Sequence, residues 1–203
     1  MPSSRRVAIL VYDEVEVLDV AGPYEVFSVA SRLARRRSPE APPPFVVSLI
    51  SVDGRPVHAR GGFVMTPHNA LADAPAPHIL IVPGGVADAV ERNPTVTSWL
   101  RRRAETTEVV ASVCTGAFVL AAAGLLDGFE ATTHWEDASG LGERYPSLTV
   151  NAERRWIDHG RVATSAGISA GIDLALHLVA RFASPELAAA TARQMDHRTA
   201  DSD

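Results

Sequence analysis

The stretch EVVASVCTGAFVLAAAGLLDG, residues 108–128, carries the strongest structural signal in the chain. Its first part is a short apolar run that ends at Val113, as expected for a strand buried on both faces of a parallel sheet. A helix of small residues is predicted to begin almost at once after this strand, and Gly124 is the residue type that ends such a helix. The lone cysteine, Cys114, is therefore placed at the turn between a buried strand and a helix.

Strands of the same kind are predicted on the amino-terminal side of this unit. Three further apolar runs have the length and β-branched content of buried strands, namely VAILVY (7–12), FVVSLIS (45–51) and HILIVPGG (78–85). Segments with helical periodicity or helix caps separate the strands. Because this alternation is typical of a parallel sheet covered by helices, the sequence predicts an α/β fold.

The remaining elements follow from caps, turns and periodicity. The first helix is predicted at about residues 22–36, with Pro23 in its first turn, where its missing N–H costs nothing. The other helices are predicted at residues 93–105 (after an Asn93 cap), 135–145, 169–183 and 184–197 (with a Ser184 cap). Shorter β segments are predicted at residues 57–66, 130–135 and 155–165.

Length and charge limit the classes of function. With 203 residues the chain has the size of one large domain, which we place at residues 1–197, followed by a polar tail at residues 198–203. The net charge of -5, with both signs interspersed, does not favour a nucleic-acid surface. All 19 basic residues are arginine, so chemistry through a lysine Schiff base or lysine general base is excluded.

Cysteine, histidine and glycine usage adds expectations about compartment and cofactors. One cysteine cannot form an internal disulfide, which fits a reducing cytoplasm. The apolar run after Arg5 and Arg6 is too short for a signal peptide, and no other run could span a membrane. The seven histidines lack the paired spacing of metal ligands, and the glycines form no nucleotide-binding motif. We therefore expect a cytoplasmic protein without a membrane segment, metal or cofactor.

The predicted position of Cys114 favours a reactive thiol. Unpaired N–H groups and the dipole of a helix N-terminus stabilise a thiolate. The dipole contributes only about 0.3–1 kcal/mol, so an ionised thiol needs further donors, such as the N–H of Thr115. The small residues that follow permit the sharp turn of a nucleophile elbow. The alternative is a structural cysteine, since free cysteine is among the most buried residue types.

Five ordered motifs resemble the ThiJ/PfpI superfamily of class I glutamine amidotransferase-like proteins. They are LDVAGPYEVF (18–27), IVPGG (81–85), VCTGAFVLAAAGLLDG (113–128), ATTHW (131–135) and TSAGISAGIDLALHLV (164–179). The resemblance implies a flavodoxin-like, doubly wound, mostly parallel sheet with helices on both faces. Within the superfamily the chain resembles two groups in particular: isonitrile (isocyanide) hydratase, and the ligand-binding N-terminal domain of AraC-type regulators. It also implies a homodimer that takes a small-molecule substrate.

The resemblance assigns roles to five residues of this chain. Cys114 matches the nucleophile of the superfamily, and Asp19 matches the acidic residue that lies beside the sulfur. Gly85 and Thr115 match the positions whose backbone N–H groups line an anion pocket, and His134 matches a histidine near the pocket rim. An alternative role for Asp19 is a helix cap, because aspartate is a favoured residue there.

The residue after the cysteine narrows the chemistry. Protease-like and glyoxalase-like relatives carry histidine at this position, whereas this chain has Thr115, which argues against peptidase chemistry. The resemblance implies attack of Cys114 on an isonitrile carbon, proton donation by Asp19, and hydrolysis to an N-substituted formamide. Two like charges side by side are unfavourable, so the two groups are expected to titrate as a coupled pair.

Two other functions stay open from the sequence. The first is a ligand-sensing domain without catalysis, related to the AraC-type regulators; because the chain ends at Asp203, we do not expect a complete regulator of that kind. The second is another hydrolase of the superfamily, such as an amidase or a glyoxalase-like enzyme. A closed, apolar cavity at Cys114 would suit a small isonitrile, and a wide groove would suit a peptide.

Overall fold

The computed structural model of the protein describes residues 4–199. Residues 1–3 of the predicted domain and residues 200–203 of the predicted tail lie outside this range. The strands are β1 Arg5–Leu10, β2 Phe45–Ser51, β3 Val57–His58, β4 Val64–Met65, β5 Asn69–Ala70, β6 Ile79–Val82, β7 Val109–Val113, β8 Glu130–Ala131, β9 Thr149–Val150, β10 Trp156–Asp158 and β11 Val162–Ser165. The α-helices are α1 Val17–Arg37, α2 Asp88–Glu91, α3 Pro94–Ala104, α4 Gly116–Ala122, α5 Ala138–Arg144, α6 Ala170–Phe182 and α7 Pro185–Gln194.

Seven strands form one sheet in the order β10-β11-β7-β6-β1-β2-β5. All neighbours in this sheet are parallel except β10 and β11, which form an antiparallel hairpin at one edge. Helices α1, α6 and α7 contact one another in one layer, and α2, α3 and α4 contact one another in a second. The α/β prediction and the doubly wound, mostly parallel sheet of flavodoxin-like type are thus confirmed.

The central strands consist of residues that belong inside a protein. Strands β6 and β7 are fully buried, and so is β1 from Val7 onward, as parallel strands covered on both faces must be. Their carboxyl ends meet at one edge of the sheet, where open α/β folds bind ligands. Cys114 directly follows β7, and the PGG loop (residues 83–85) directly follows β6, so the sheet brings these two segments side by side.

Several strands and helix caps lie where the sequence predicts them. Strand β2 has the predicted bounds, and the β segments predicted at 57–66 and 155–165 are present, each as an antiparallel pair of strands. The Asn93 side chain accepts a hydrogen bond from the Thr95 N–H, and the Ser184 side chain accepts one from the Leu187 N–H. Both predicted helix caps are therefore confirmed.

Two predictions about element bounds were wrong. Helix α1 begins at Val17 rather than at about residue 22, so Pro23 lies inside the helix and not in its first turn. Burial of side chains such as Val26 and Phe27 outweighs the local cost of proline, which is about 3 kcal/mol. The strand predicted at 130–135 ends at Ala131, because threonine side chains beyond it replace the backbone ladder.

None of the helices within residues 4–199 combines the length and the hydropathy that crossing a bilayer requires.

Candidate active site

Cys114 occupies a sharp turn between β7 and α4. Its φ is +57°, a left-handed conformation that costs a residue with a Cβ about 1–2 kcal/mol. Hydrogen bonds on both sides hold the turn: the Cys114 N–H donates to Ser165 O (3.1 Å) and Ala166 O (3.3 Å), and the Thr133 hydroxyl donates to Cys114 O (2.8 Å). The strained backbone therefore presents the thiol at the carboxyl edge of the sheet, as in a nucleophile elbow.

The glycines of the PGG loop let this loop approach the elbow. A Cβ atom on Gly84 would lie 2.6 Å from the Thr115 nitrogen and 2.8 Å from the Cys114 Cβ. Gly85 has a φ of +132°, and a Cβ there would lie 2.3 Å from Glu14 O. A side chain at Gly84 would push the loop away from the cysteine, and one at Gly85 would push it away from residues 14–16.

The same loop brings Asp19 to the sulfur. Val15 pairs with Gly85 in an isolated antiparallel bridge, and the Glu16 N–H donates to Gly84 O (2.9 Å). These contacts place the first turn of α1 under the loop, where the Gly84 N–H donates to Asp19 Oδ2 (3.0 Å). Asp19 is fully buried, and its Oδ1 has no hydrogen-bond partner of normal geometry among residues 4–199.

Burial makes the Asp19 carboxyl a weak acid. It raises the pKa of Asp19 from 3.8 to about 7, and the nearby Glu16 carboxylate adds to the rise. Hydrogen bonds from the Gly84 N–H, from the Cys114 side chain and from the Ile168 N–H lower this pKa without outweighing burial. Near neutral pH the carboxyl can therefore both hold and release a proton, as a general acid must.

The thiol is also a weaker acid than usual. Burial and the Asp19 charge raise the pKa of Cys114 to about 12, and Asp137 adds to the rise. The N–H groups of Thr115 and Ile168 act in the opposite direction but with smaller effect. The two groups are coupled, but in opposite directions: the Asp19 charge raises the pKa of Cys114, whereas the hydrogen bond from the Cys114 side chain lowers the pKa of Asp19. At rest the sulfur carries its proton, so the donors at the helix N-terminus do not suffice to ionise it.

The raised pKa of Asp19 predicts a pH-dependent stability. The folded state holds the Asp19 proton more tightly than the unfolded state, so the stabilisation is complete below pH 4 and is lost as pH rises through 7. Each pKa unit is worth about 1.36 kcal/mol, so the loss across this window is about 4 kcal/mol. Urea unfolding from pH 4 to pH 8 should show this fall in the wild type and its absence in Asp19→Asn. Parallel curves for the two proteins would contradict it.

The two predicted pocket donors differ in their availability. The Thr115 N–H lies close enough to the sulfur to lower the pKa of Cys114. The Gly85 N–H donates to the Thr115 hydroxyl oxygen (2.9 Å), and that hydroxyl donates back to Gly85 O (2.9 Å). Anion binding by Gly85 stays a prediction, and it requires the bound group to compete with the Thr115 hydroxyl.

Ile168 is a candidate donor that the sequence analysis did not identify. Its N–H lowers the pKa of both Asp19 and Cys114, so it faces the same pair of groups. Its φ is +52°, a genuine outlier for a β-branched residue. The TSAGISAGIDLALHLV motif contains this residue, but no sequence pattern indicates a left-handed isoleucine. The third donor of the site therefore comes from the turn that precedes α6.

The thiol opens into a small polar cavity of about 200 Å³. Its wall is formed by Glu16, Arg60, Gly85, Cys114, Thr115, His134, Glu136, Asp137 and Ile168. The Arg60 guanidinium lies 3.5 Å from the Glu16 carboxylate at this wall. The cavity is neither the closed apolar pocket nor the wide groove considered from the sequence, and its volume lies below that of ordinary drug-sized sites. It suits a small polar molecule.

The structure brings all five predicted site residues together around this cavity. Cys114, Thr115, Gly85 and His134 line it, while Asp19 lies beneath the sulfur and out of contact with solvent. The His134 ring and the Cys114 sulfur both lie next to Gly167. Their roles stay predictions. Within residues 4–199, no group of three or more histidine, cysteine or acidic side chains is arranged to hold a metal ion.

A left-handed cysteine at a strand-to-helix turn, with a buried acid beside it, has the backbone geometry of a nucleophile elbow in an α/β fold. The chain belongs to the DJ-1/PfpI family, whose profile matches residues 5–181. In the solved structures, a THiJ/PfpI family protein from Pseudomonas syringae superposes with a TM-score of 0.84 at 24% identity, covering 98% of this chain and 77% of that protein. This likeness supports the fold.

Sequence relatives divide between an enzyme and transcription regulators. The chain is 32% identical over 198 residues to isonitrile hydratase from Pseudomonas putida, covering 96% of this chain and 79% of the hydratase. It is 33% identical over 186 residues to the HTH-type transcriptional regulator GbdR from Pseudomonas aeruginosa, covering 91% of this chain and 48% of the regulator. The chain thus spans about half the length of that regulator. Family membership alone does not separate the two functions.

Proposed function

We propose that this protein is a cysteine-dependent hydratase of the isonitrile hydratase type, which converts an isonitrile and water to an N-substituted formamide. The observation that carries the proposal is the buried Asp19 carboxyl beside the Cys114 thiol, with its pKa raised to about 7. A pocket that only binds a ligand needs neither a strained cysteine nor a proton donor under it. Addition of a thiol across an isonitrile carbon needs both.

The first half of the reaction forms a thioimidate. As the Cys114 sulfur attacks the terminal isonitrile carbon, the thiol proton passes to Asp19 in its carboxylate form, which a pKa of about 7 leaves populated near neutral pH. Asp19 then donates this proton to the same carbon, so that R–N≡C becomes R–N=CH–S–Cys. The Thr115 and Ile168 N–H groups stabilise the negative charge that the sulfur carries during the transfer.

The second half releases the product. Water adds to the thioimidate carbon, and its two protons go to the nitrogen and, finally, to the sulfur. Cleavage of the C–S bond gives R–NH–CHO and restores the thiol. The polar wall of the cavity leads us to expect a small N-substituent with hydrogen-bonding groups rather than a purely aliphatic one.

A ligand-sensing function is the second candidate. One observation favours it: the cavity wall carries three carboxylates and an arginine that the chemistry of an isonitrile carbon does not require. In that case the cavity binds a polar metabolite and Cys114 does not turn it over. A further hydrolase activity, on an amide or on methylglyoxal, is disfavoured because Thr115 stands where those relatives carry histidine.

Two further properties of the proposed enzyme are its cellular compartment and its oligomeric state. We infer a cytoplasmic homodimer, because the chain has one cysteine and no disulfide, and because it resembles a superfamily of homodimers. Light scattering at several concentrations would measure the mass of the assembly.

The test of the proposed function is turnover. Purified protein is incubated with small isonitriles of polar and apolar substituents, with methylglyoxal and with simple amides, and the products are quantified by chromatography. We expect formamide from a polar isonitrile, and an Asp19→Asn variant about 10²–10⁴-fold slower, since proton transfer contributes that much. The variant keeps an oxygen for the Gly84 N–H, so it should fold. Binding of a polar ligand without turnover would favour the sensor, and full activity of Asp19→Asn would exclude its role as the acid.

A further inference from the structure

The turn between β11 and α6, residues 166–169, borders the thiol directly. Ala166 O accepts a hydrogen bond from the Cys114 N–H (3.3 Å), and a Cβ atom on Gly167 would lie 3.4 Å from the Cys114 Sγ. Ile168 lines the cavity with a left-handed φ of +52°. Such a conformation is strained for a β-branched residue and persists only where surrounding contacts hold it. The position of this turn therefore depends on what contacts it from outside the cavity.

Arg155, which directly precedes β10, contacts this turn on both sides of Ile168. Its backbone O accepts a hydrogen bond from the Ala166 N–H (2.9 Å). Its guanidinium Nη2 donates to the Ser169 Oγ (3.3 Å), and its Nε donates to the Asp173 Oδ2 in the first turn of α6. One residue thus fixes the position before the strained isoleucine, the position after it and the helix that follows.

Asp173 anchors the guanidinium. Its side chain is only 2% exposed, and the side chain of Arg155 is 30% exposed. The His197 Nε2 lies 2.7 Å from the other carboxylate oxygen, Asp173 Oδ1. A buried carboxylate is stable only with close partners, and the planar guanidinium presents its N–H groups in a fixed fork. The ion pair therefore orients Arg155 so that a second N–H reaches the Ser169 hydroxyl, which makes no cap hydrogen bond at the start of α6.

We propose that Arg155 is a positioning residue for the reaction of Cys114, which holds the turn at residues 166–169 so that the Ile168 N–H stabilises negative charge on the sulfur. This inference rests on the proposed function, in which Cys114 is the nucleophile. Arg155 does not belong to the cavity wall, so it touches neither the thiol nor a bound molecule. Its effect on the reaction comes through the placement of the Ile168 donor.

The test is alkylation of the thiol by iodoacetamide, which forms a C–S bond with loss of iodide and needs no isonitrile. Cys114 is the only cysteine, so the mass added to the intact protein reports this thiol alone. Rates are measured from pH 6 to pH 10 for wild type and Arg155→Gln. The matched control is Arg5→Gln: Arg5 is equally exposed (31%) and is ion-paired with Glu108, but it lies at the opposite edge of the sheet, where β1 begins.

We expect Arg155→Gln to slow alkylation about 3–10-fold above pH 8, because a thiolate that loses a donor is formed less readily. The Ile168 N–H also lowers the pKa of Asp19, so the break in the rate near pH 7, where Asp19 ionises, should move to higher pH. Arg155→Lys should recover part of the rate, and Arg5→Gln should keep the wild-type profile. The other titratable groups that act on this pair are unchanged in these variants, namely Tyr12, Glu16 and Asp137.

Ser169→Ala removes a single contact of Arg155 and should slow alkylation in the same direction by less. Urea unfolding identifies a variant that does not fold; if Arg155→Gln is one, then Arg155→Lys and Ser169→Ala provide the same test. A wild-type profile in every folded variant of Arg155 and Ser169 would overturn the inference, and so would equal slowing in Arg5→Gln.

Two outcomes separate this inference from the proposed function. A wild-type thiol that is not alkylated at any pH would overturn the inference together with the proposed nucleophile. Alkylation that depends on Arg155, in a protein that turns over no isonitrile, would support the inference and reject only the proposed substrate.

Discussion

Replacement of Cys114 with alanine is expected to lower isonitrile turnover at least about 10³-fold, to the background rate, because the bond-forming atom is removed. The fold should survive this change. Alanine also has a Cβ, so the cost of the left-handed φ of +57° is the same as for cysteine. Loss of activity with an unchanged circular dichroism spectrum would therefore report chemistry rather than folding.

A glycine at the same position separates function from stability. Cys114→Gly should have a free energy of unfolding about 1 kcal/mol higher than that of Cys114→Ala, because glycine adopts positive φ without strain. Its unfolding midpoint in denaturant should therefore lie at a higher concentration. Both variants should be inactive. Active-site strain of this kind is held in place by the surrounding structure.

The outcome that contradicts this prediction is residual turnover. If Cys114→Ala forms formamide at more than a hundredth of the wild-type rate, the sulfur is not the nucleophile. The sensor function would then be tested by ligand binding to the alanine variant, which keeps the polar wall of the cavity.

The sequence was sufficient to locate the elbow and its acid. A buried strand followed at once by small residues predicts a strand-to-helix turn, and Cys114 lies in that turn. The resemblance to the superfamily then identified Asp19, Gly85, Thr115 and His134, which all lie around one cavity or directly beneath it. These residues belong to segments with strong local signals, so their placement follows from the order of the strands.

The charge state of the thiol was not predictable from the same signals. The helix N-terminus at Thr115 argues for a thiolate, yet burial and the proximity of Asp19 raise the pKa of Cys114 to about 12. The desolvation of the thiol depends on how tightly distant segments of the chain pack around the sulfur. No pattern of residues in the sequence indicates that packing. The same holds for Ile168, whose N–H reaches the site because of a left-handed backbone that isoleucine rarely adopts.

The bounds of α1 show a different limit. Pro23 is typical of a first turn, so the sequence places the helix start near residue 22. The actual start at Val17 puts Asp19 inside the first turn, where it reaches the Gly84 N–H. Tertiary burial of the helix outweighed the local preference of proline, as it commonly does for propensity.

Substitution of Gly116 with alanine is expected to have the largest effect on stability. Gly116 begins α4 where it crosses the end of β6, and a Cβ atom there would lie 2.0 Å from Val82 O and 2.9 Å from Pro83 O. Both neighbours are backbone atoms, so relief requires the PGG loop and the elbow to move apart. Overpacking of this kind costs typically about 1–3 kcal/mol and sometimes more, out of a total of about 5–15 kcal/mol.

The matched control is Gly140→Ala in α5, where no heavy atom lies within 4 Å of an added Cβ. Because alanine is the better helix former, that variant should gain about 0.5–1 kcal/mol. Urea unfolding of the two variants should therefore shift in opposite directions, with Gly116→Ala losing about 3 kcal/mol or more. A Gly116→Ala protein as stable as the wild type would mean that the PGG loop and the elbow are not in the close contact on which the pairing of Asp19 with Cys114 depends.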